Sequence, residues 1–343
     1  MPARSLYFTG ERTVEVRERT VPDPGPDEVR VRSVASAISS GTELLVYRGD
    51  APSDLPADEN IPALDGSLEY PLRYGYATVG TVTATGDDVD EDWLDRTVFC
   101  FHPHESHFLA SPDELRRVPN GCSTTAAALL PTVETALNFV MDGRPSVGER
   151  VVVFGQGPVG LLSTAVLSSF PLGRLVTVDT VARRRDLSLS FGADESLPPA
   201  DARSRFDVGP RVDPNTPRGA DLSFELTGDP AALEDAVSVT GYDGTVVIGS
   251  WYGDKRAELD LGGRFHRSRI QLKSSQVSTI DPDHRGRWTQ KRRFELAWRW
   301  LERLDVDRLV THRLPLSEAR TAYELLDSQP GEAVQILFTY GGR

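Results

Sequence analysis

The residues Ser39–Glu43 place three hydroxyl groups and a carboxylate directly before a short apolar run, in the stretch "AISSGTELLVYRG". Hydroxyl groups can pass a proton along, and the Glu43 carboxylate can act as a general base if burial raises its pKa. The same residues also suit a turn that caps a helix, because Ser and Thr are favoured at helix starts. Glu43 would then bind Arg73 or a backbone amide. Both interpretations are open at this point.

A second group of residues indicates a nucleotide site, in the stretch "VVVFGQGPVGLLSTAVL". Gly155, Gly157 and Gly160 form G-x-G-x-x-G after an apolar strand and before a helix that starts near Pro158 and Val159. The first glycine permits the tight turn, the second lets the backbone approach a pyrophosphate, and the third lets the helix pack on the strand. This context predicts a dinucleotide site.

The next apolar strand ends in Asp179, whose carboxylate is placed to accept hydrogen bonds from the adenosine ribose. A carboxylate there repels a 2′-phosphate, so we predict NAD as the cofactor rather than NADP. The arginine run Arg183–Arg185 leaves an alternative, since a guanidinium such as that of Arg184 could accept the phosphate. The other interpretation of this run is a solvated helix start.

The elements that must position these residues follow from the hydrophobic pattern. The first 120 or so residues alternate in short apolar runs between Pro, Gly and Asp clusters, which predicts a β-rich barrel or sandwich. Residues 123–142 have helical spacing, and residues 150–280 alternate between strand and helix, which predicts a parallel sheet. At the carboxyl ends of its strands we expect further cofactor contacts, from Thr227, Gly228, Gly249, Ser250 and Trp251.

At this level of detail the chain resembles the medium-chain dehydrogenase/reductase superfamily, through "PTVETALNFV", "RPSVGERVVVFGQGPVGLL", "GADLSFELTG", "DGTVVIGSW" and "LVTHRLPLSEARTAYELL". The resemblance implies an α/β protein with a β-rich GroES-like catalytic domain, residues 1–125 and 281–343. A Rossmann domain with a doubly wound parallel sheet would occupy residues 126–280. It also implies a nicotinamide cofactor in the cleft between the domains, and a homodimer or homotetramer.

Many members of this superfamily use a catalytic zinc ion, and the matching positions here are Ser40, Tyr76 and Pro131. None of these side chains is a usual zinc ligand, and the two cysteines cannot form the four-cysteine structural zinc lobe. We therefore expect no zinc. Within the zinc-lacking branch, "ISSGTELLVYRG" with "YPLRYGYATVGTV" is most similar to bacteriochlorophyllide dehydrogenases, which oxidise a secondary hydroxyethyl group with NAD.

The resemblance also suggests roles for individual residues. Tyr76 becomes a candidate hydrogen-bond donor or acid, the other interpretation being an ordinary half-buried tyrosine. Thr42 matches a hydroxyl that relays a proton toward the cofactor ribose, but Leu45 stands where the relay histidine would be. Thr135 is expected to lie against the nicotinamide.

A metal site is one alternative for the segment "CFHPHESHF", which contains Cys100, His102, His104, Glu105 and His107. If this segment is extended, His102 and His104 share a face. The other interpretation, which we favour, is a polar loop in which one histidine, His107, faces the substrate cleft.

Charge and composition exclude several partners. The net charge is -13, and only three of the 38 basic residues are lysines, Lys255, Lys273 and Lys291. Such a surface repels nucleic acid and anionic membranes. It is typical either of a salt-rich cytoplasm or of an acidic protein from a high-GC genome. With no signal peptide or apolar run of membrane-spanning length, we expect a cytoplasmic protein.

Three functions are therefore compatible with the sequence. The first is a zinc-independent, NAD-dependent dehydrogenase of a secondary alcohol or sugar-like hydroxyl. The second is a quinone or enone reductase of the same superfamily; most of these use NADPH, against which Asp179 argues. The third is a dinucleotide-binding protein without turnover.

Overall fold

The computed structural model describes residues 1–206, 208 and 218–341. The chain forms two compact units. Met1–Pro131 and the chain from Trp298 onward make up the first unit, and Thr132–Ala297 make up the second. No helix among the described residues is long and apolar enough to cross a membrane.

The first unit is built mainly from antiparallel strands, as the alternating runs predict. A two-stranded ribbon pairs β1 with β2, and a larger sheet has the order β14-β15-β3-β4-β5-β7, with β6 also paired to β3. The strands are β1 (Pro2–Gly10), β2 (Thr13–Thr20), β3 (Val29–Ala37), β4 (Thr78–Thr85), β5 (Thr97–Cys100), β6 (His107–Ala110), β7 (Leu115–Arg117), β14 (Val310–Pro315) and β15 (Gln335–Thr339).

The second unit contains a parallel sheet with the strand order β10-β9-β8-β11-β12-β13. Numbered within this unit the order is 3-2-1-4-5-6, which is that of the Rossmann fold. The fold predicted from the alternating pattern is therefore confirmed. The strands are β8 (Arg150–Phe154), β9 (Arg174–Val178), β10 (Glu195–Leu197), β11 (Ala220–Glu225), β12 (Thr240–Ile248) and β13 (Gln271–Ser274).

The helices connect these strands and cover their apolar side chains. Those of the described residues are α1 (Ser40–Arg48), α2 (Thr124–Ala128), α3 (Leu130–Gly143), α4 (Pro158–Leu167), α5 (Ala182–Ser190), α6 (Pro199–Phe206), α7 (Pro230–Val239), α8 (Gln290–Leu301) and α9 (Ala319–Ser328). The single helix predicted over 123–142 is two helices. Pro131 has no amide hydrogen to continue the hydrogen bonds of the first helix, so α2 ends at Ala128 and α3 begins at Leu130, with the proline in its first turn.

The two units divide inside helices. One division falls within α3, between Pro131 and Thr132, and the other within α8, between Ala297 and Trp298. The sequence boundaries at 125/126 and 280/281 lie outside these helices. The first part of α8 belongs to the second unit because Arg293 is fully buried there and binds Glu134 and Asn138 of α3.

Candidate functional site

The hydroxyl-rich stretch Ser39–Glu43 forms the start of α1. Ser39 occupies the N-cap position, but its side chain makes no capping hydrogen bond. Instead the Glu43 carboxylate accepts the Ser39 amide at 2.7 Å through Oε1. Of the two alternative partners given for Glu43, Arg73 or a backbone amide, the structure has the backbone amide. Arg73 binds the buried carboxylate of Glu105 instead.

Tyr76 lies against this helix start and forms a hydroxyl cluster with it. Its Oη donates to Ser39 Oγ at 2.5 Å and lies 3.3 Å from Thr42 Oγ1. All three side chains are half-buried. Burial raises the pKa of Tyr76 above its ordinary value, the Glu43 charge adds to this, and the hydrogen bonds with Ser39 and Thr42 oppose it. Tyr76 is therefore protonated at neutral pH and can donate a hydrogen bond.

The residues around this cluster explain why Tyr76 sits there. Gly75 has a φ of +101°, and a Cβ at this position would lie 2.4 Å from His104 Nε2. Only glycine therefore allows the imidazole to pack under the backbone that carries Tyr76. Ser40, the other predicted site residue of this loop, is the half-buried first residue of α1.

Below the cluster lies a buried group that the sequence did not predict. The Glu43 Oε2 atom accepts from Tyr323 Oη at 2.5 Å and lies 3.0 Å from His104 Nε2. On the other side of the ring, His104 Nδ1 is 2.6 Å from Ser36 Oγ, which is 2.7 Å from Tyr340 Oη. His104 is therefore the histidine of the segment that is hydrogen-bonded to Glu43, and the role of His107 in the substrate cleft stays a prediction.

The other residues of that segment lie in different surroundings. His102 stacks on Phe108 with ring centroids 3.8 Å apart, and His107 begins β6 with Nδ1 3.2 Å from Ser106 Oγ. Cys100 is buried at the end of β5, where burial raises the pKa of its thiol. The condition under which His102 and His104 would share a face is not met, because residues 101–104 are not part of a strand.

A zinc ion does not fit the positions that the family resemblance indicates. Ser40, Tyr76 and Pro131 offer no thiolate, imidazole or carboxylate, and the Tyr76 hydroxyl is already engaged by Ser39. Across residues 1–206, 208 and 218–341, no group of three or more His, Cys, Asp or Glu side chains is arranged to hold a metal ion.

Acid should destabilise the protein through His102. Burial lowers the pKa of His102 to about 3, from an ordinary 6.5. Between these values the unfolded chain binds one proton more than the folded chain, so stability falls as pH falls from 6.5 toward 3. We expect a slope of about 1.4 kcal/mol per pH unit from this residue. Urea unfolding at pH 4–7 should show a shallower dependence in His102→Phe; an identical dependence would contradict this assignment.

The nucleotide loop has the close contacts that its glycines predict. Gly155 has a φ of +88°, and a Cβ on Gly160 would lie 1.9 Å from the Gly155 carbonyl oxygen. At Gly157, in contrast, a Cβ would meet no atom within 4 Å, so the N-terminus of α4 is open to a ligand there. Pro158 is the first residue of this helix, followed by Val159. The arrangement fits a pyrophosphate bound at a helix N-terminus.

Asp179 lies at the end of β9, next to this loop. Its Oδ2 accepts the Gln156 amide at 2.6 Å, and its Oδ1 accepts the Val181 amide at 2.8 Å. Each carboxylate oxygen keeps a further lone pair, so ribose hydroxyls fit as additional donors. Arg184 on α5 is half-buried; burial lowers its pKa and the Asp179 charge raises it. The Arg185 guanidinium donates to the carbonyl oxygens of Asp179 and Thr180.

The other predicted cofactor residues lie at the ends of β11 and β12, except Thr135, which is half-buried on α3. The buried Glu225, which the sequence analysis missed, accepts the Thr227 amide at 2.7 Å and the Tyr252 hydroxyl. Ser250 Oγ accepts the Gly228 amide at 2.8 Å, and Trp251 is 38% exposed. A Cβ on Gly249 would lie 2.5 Å from the Phe139 ring, so this strand end packs tightly on α3.

The chain is similar to known proteins over most of its length. A family model described as zinc-binding dehydrogenase matches residues 158–302. D-guloside 3-dehydrogenase of Escherichia coli (strain K12) is 25% identical over 335 residues, which cover 92% of this chain and 93% of that protein.

Two solved structures share the fold at low sequence identity. 2R,3R-butanediol dehydrogenase from Bacillus subtilis superposes with a TM-score of 0.76 and 19% identity, covering 98% of this chain and 99% of that chain. A protein described as a short chain alcohol dehydrogenase from Escherichia coli CFT073, complexed with NADH, gives a TM-score of 0.76 and 17% identity, with the same coverage.

Proposed function

Since the chain belongs to the medium-chain dehydrogenase/reductase superfamily, as an alcohol dehydrogenase-like oxidoreductase, we propose that it transfers hydride between NAD and a secondary alcohol or its ketone without catalytic zinc. The observation that carries this proposal is the hydroxyl cluster of Tyr76, Ser39 and Thr42. The family resemblance matches Tyr76 and the neighbouring Ser40 to positions of zinc ligands in zinc-dependent members. The substrate class is a polyol, a sugar-like ring or a hydroxyethyl group.

The second unit would bind the cofactor. The open N-terminus of α4 at Gly157 suits the pyrophosphate, and the Asp179 carboxylate suits the ribose hydroxyls. Bound NAD supplies the hydride acceptor in oxidation and the hydride donor in reduction. Thr227, Gly228, Gly249, Ser250, Trp251 and Thr135 would contact other parts of the cofactor.

The first unit would handle the proton at Tyr76 Oη. In ketone reduction, Tyr76 turns its one O–H from Ser39 Oγ to the substrate oxygen and delivers the proton as that oxygen gains charge. Ser39 Oγ then donates a proton back to Oη, and solvent replaces the proton on Ser39. In oxidation, Oη accepts the substrate proton while giving its own to Ser39 Oγ, 2.5 Å away. Ser39 and Thr42 are half-buried, so the proton can leave through their hydroxyls to solvent. Tyr76 thus polarises the substrate oxygen, which is the work of zinc in other members.

The preference for NAD over NADP should depend on the Asp179 charge. Asp179→Asn keeps one side-chain oxygen but removes the repulsion of a 2′-phosphate, which we expect to be worth about 1–3 kcal/mol. The ratio of NAD to NADP dissociation constants should therefore change in favour of NADP by about 5–150-fold. Asp186→Asn, the same change at an exposed carboxylate of α5, is the matched control. An unchanged ratio in Asp179→Asn would mean that another residue distinguishes the ribose 2′-hydroxyl of NAD from the 2′-phosphate of NADP.

The proposal is tested by a substrate panel. Purified protein is given NAD or NADP with sugar glycosides, polyols, 2,3-butanediol or aryl hydroxyethyl compounds, and nicotinamide absorbance is followed with and without a chelator. We expect steady NAD reduction on a secondary alcohol that the chelator does not change. Turnover confined to NADPH with quinones or enones would replace the proposal by a reductase function. Tight NAD binding without turnover on any compound would leave a binding protein.

A homodimer or homotetramer is a separate proposal, which light scattering tests.

A further inference from the structure

The group formed by Glu43, His104, Ser36 and Tyr323 lies entirely within the first unit and is fully buried. A carboxylate removed from water is costly unless donors satisfy it. Glu43 accepts hydrogen bonds from the Ser39 amide and the Tyr323 hydroxyl, and His104 Nε2 lies 3.0 Å from its Oε2.

The hydrogen-bond directions in this group are consistent with one imidazole tautomer. With the proton on His104 Nε2, the ring donates to Glu43, and Nδ1 accepts from Ser36 Oγ. The Tyr340 hydroxyl can then donate to Ser36 Oγ. Every polar side-chain atom in the series Tyr340, Ser36, His104 and Glu43 then has a hydrogen-bond partner.

Two contacts connect the buried group to Tyr76. In the first contact, Glu43 Oε1 accepts a hydrogen bond from the Ser39 amide, and Ser39 Oγ in turn accepts a hydrogen bond from the Tyr76 hydroxyl. The His104 ring packs under Gly75, the residue before Tyr76, where a Cβ would collide with it. The positions of Tyr76 and Ser39, which form this hydrogen bond, therefore depend on Glu43 and His104.

We propose that Glu43 and His104 are a positioning pair for Tyr76. The Glu43 carboxylate, oriented by His104 and Tyr323, fixes Ser39 and places its negative charge behind the hydrogen bond between Ser39 and the Tyr76 hydroxyl. The role assigned to Tyr76 rests on the proposed function, whereas the effect on its ionisation does not. Glu43 itself is fully buried with both oxygens engaged, so it acts through Tyr76 and Ser39 rather than as a base on the substrate.

Charges around Tyr76 support this effect. The negative charges of Glu43 on α1 and of Asp58 in the loop that follows both raise the pKa of Tyr76. Tyr74 packs edge-on against its ring with centroids 6.4 Å apart, and His104 lies under Gly75. Of the two carboxylates, Glu43 is the one connected to the cluster by hydrogen bonds.

The first test measures Tyr76 ionisation without using activity. Ultraviolet titration of a protein, minus that of its Tyr76→Phe counterpart, isolates Tyr76 from the other tyrosines. We expect Glu43→Gln to lower the Tyr76 midpoint by about one pH unit, since it removes a nearby negative charge. Glu15→Gln, the same change at an exposed carboxylate of β2, should leave it unchanged. An unchanged midpoint in Glu43→Gln would overturn the proposal.

If Glu43→Gln fails to fold, the double variant Glu43→Gln with His104→Gln replaces the whole pair by two amides that can bond each other. It carries the same expected shift, and an unchanged midpoint would again overturn the proposal. Glu43→Asp retains the charge but shortens the side chain. It should keep the Tyr76 midpoint near that of the wild type, and a fall as large as that of Glu43→Gln would contradict the effect of charge.

The second test uses turnover and separates this pair from a merely structural role. Ketone reduction needs protonated Tyr76, so its rate should fall at high pH, and Glu43→Gln should move that fall to lower pH. His104→Asn, which loses the N–H directed at Glu43, should lower kcat about tenfold. His104→Gln, whose longer side chain can restore that donor, should recover most of the loss. If no variant turns over but the midpoint shift appears, the proposed function fails and the positioning pair stands.

Discussion

Replacing Tyr76 by phenylalanine is expected to lower turnover by about 10²–10⁴-fold, the usual contribution of a positioned acid or base. The variant removes Oη, which donates to Ser39 and lies 3.3 Å from Thr42, but keeps the ring and its packing against Tyr74. The dissociation constant for NAD should not change, because the residues proposed to bind it belong to the other unit. Steady-state kinetics and fluorescence titration with NADH measure the two quantities.

Tyr74→Phe is the matched control for this experiment. Tyr74 is a buried neighbour whose hydroxyl makes one long hydrogen bond, 3.4 Å to the Ala57 carbonyl oxygen. Tyr74→Phe removes a tyrosine Oη, as Tyr76→Phe does, but leaves the cluster of Tyr76, Ser39 and Thr42 intact. Turnover should therefore stay within about twofold of the wild type. Thr42→Val should lower turnover less than Tyr76→Phe does. If Tyr76→Phe turns over like Tyr74→Phe, the substrate proton is exchanged elsewhere, and the Ser39–Glu43 loop is only a helix start.

Breaking the buried ion pair of the second unit is expected to cost about 3–5 kcal/mol of unfolding free energy. The Arg293 side chain is 1% exposed, and its Nη2 lies 2.8 Å from Glu134 Oε1. The guanidinium also donates to the Asn138 side chain and to the carbonyl oxygens of Val277 and Thr279. Arg293→Met would leave the Glu134 carboxylate buried without this partner. Urea unfolding, followed by tryptophan fluorescence and circular dichroism, measures the change.

Two further variants identify the cause of that loss. Arg292→Met changes an exposed arginine of the same helix, which stacks on Trp288, and should cost less than about 1 kcal/mol. The double variant Arg293→Met with Glu134→Leu removes both charges and should recover part of the stability, because the buried carboxylate is removed together with the guanidinium. Equal stabilities of Arg293→Met and Arg292→Met would contradict the importance of the buried pair.

The Rossmann sheet and its loop could be predicted because their signals are local. A run of apolar residues gives β8, and the glycines stand where a side chain would collide with backbone or where φ is positive. Asp179 follows directly from the end of the next strand. Each of these features depends on neighbours within a few residues or on one strand–helix unit.

The polar pairs could not be predicted, because their partners are distant in sequence. Glu43 and His104 are 61 residues apart, and Arg293 and Glu134 are 159 apart. No spacing rule connects such residues before the fold is known. Within the histidine segment, alternation applies only to extended strands, and the chain around Pro103 is irregular. The one sequence feature that bears on the position of His104 is Gly75, because the missing side chain leaves room for the imidazole.

The central claim is that hydride passes from the substrate carbon to NAD without zinc. Its most direct test is an isotope experiment on protein that has been treated with a chelator and analysed for zinc. An alcohol substrate found in the panel is deuterated at its carbinol carbon and incubated with NAD. The proposed mechanism predicts that deuterium appears in the reduced nicotinamide. The rate with this substrate should be the same before and after chelator treatment, in protein without stoichiometric zinc. Loss of turnover with the chelator, followed by recovery on adding one equivalent of zinc, would contradict it.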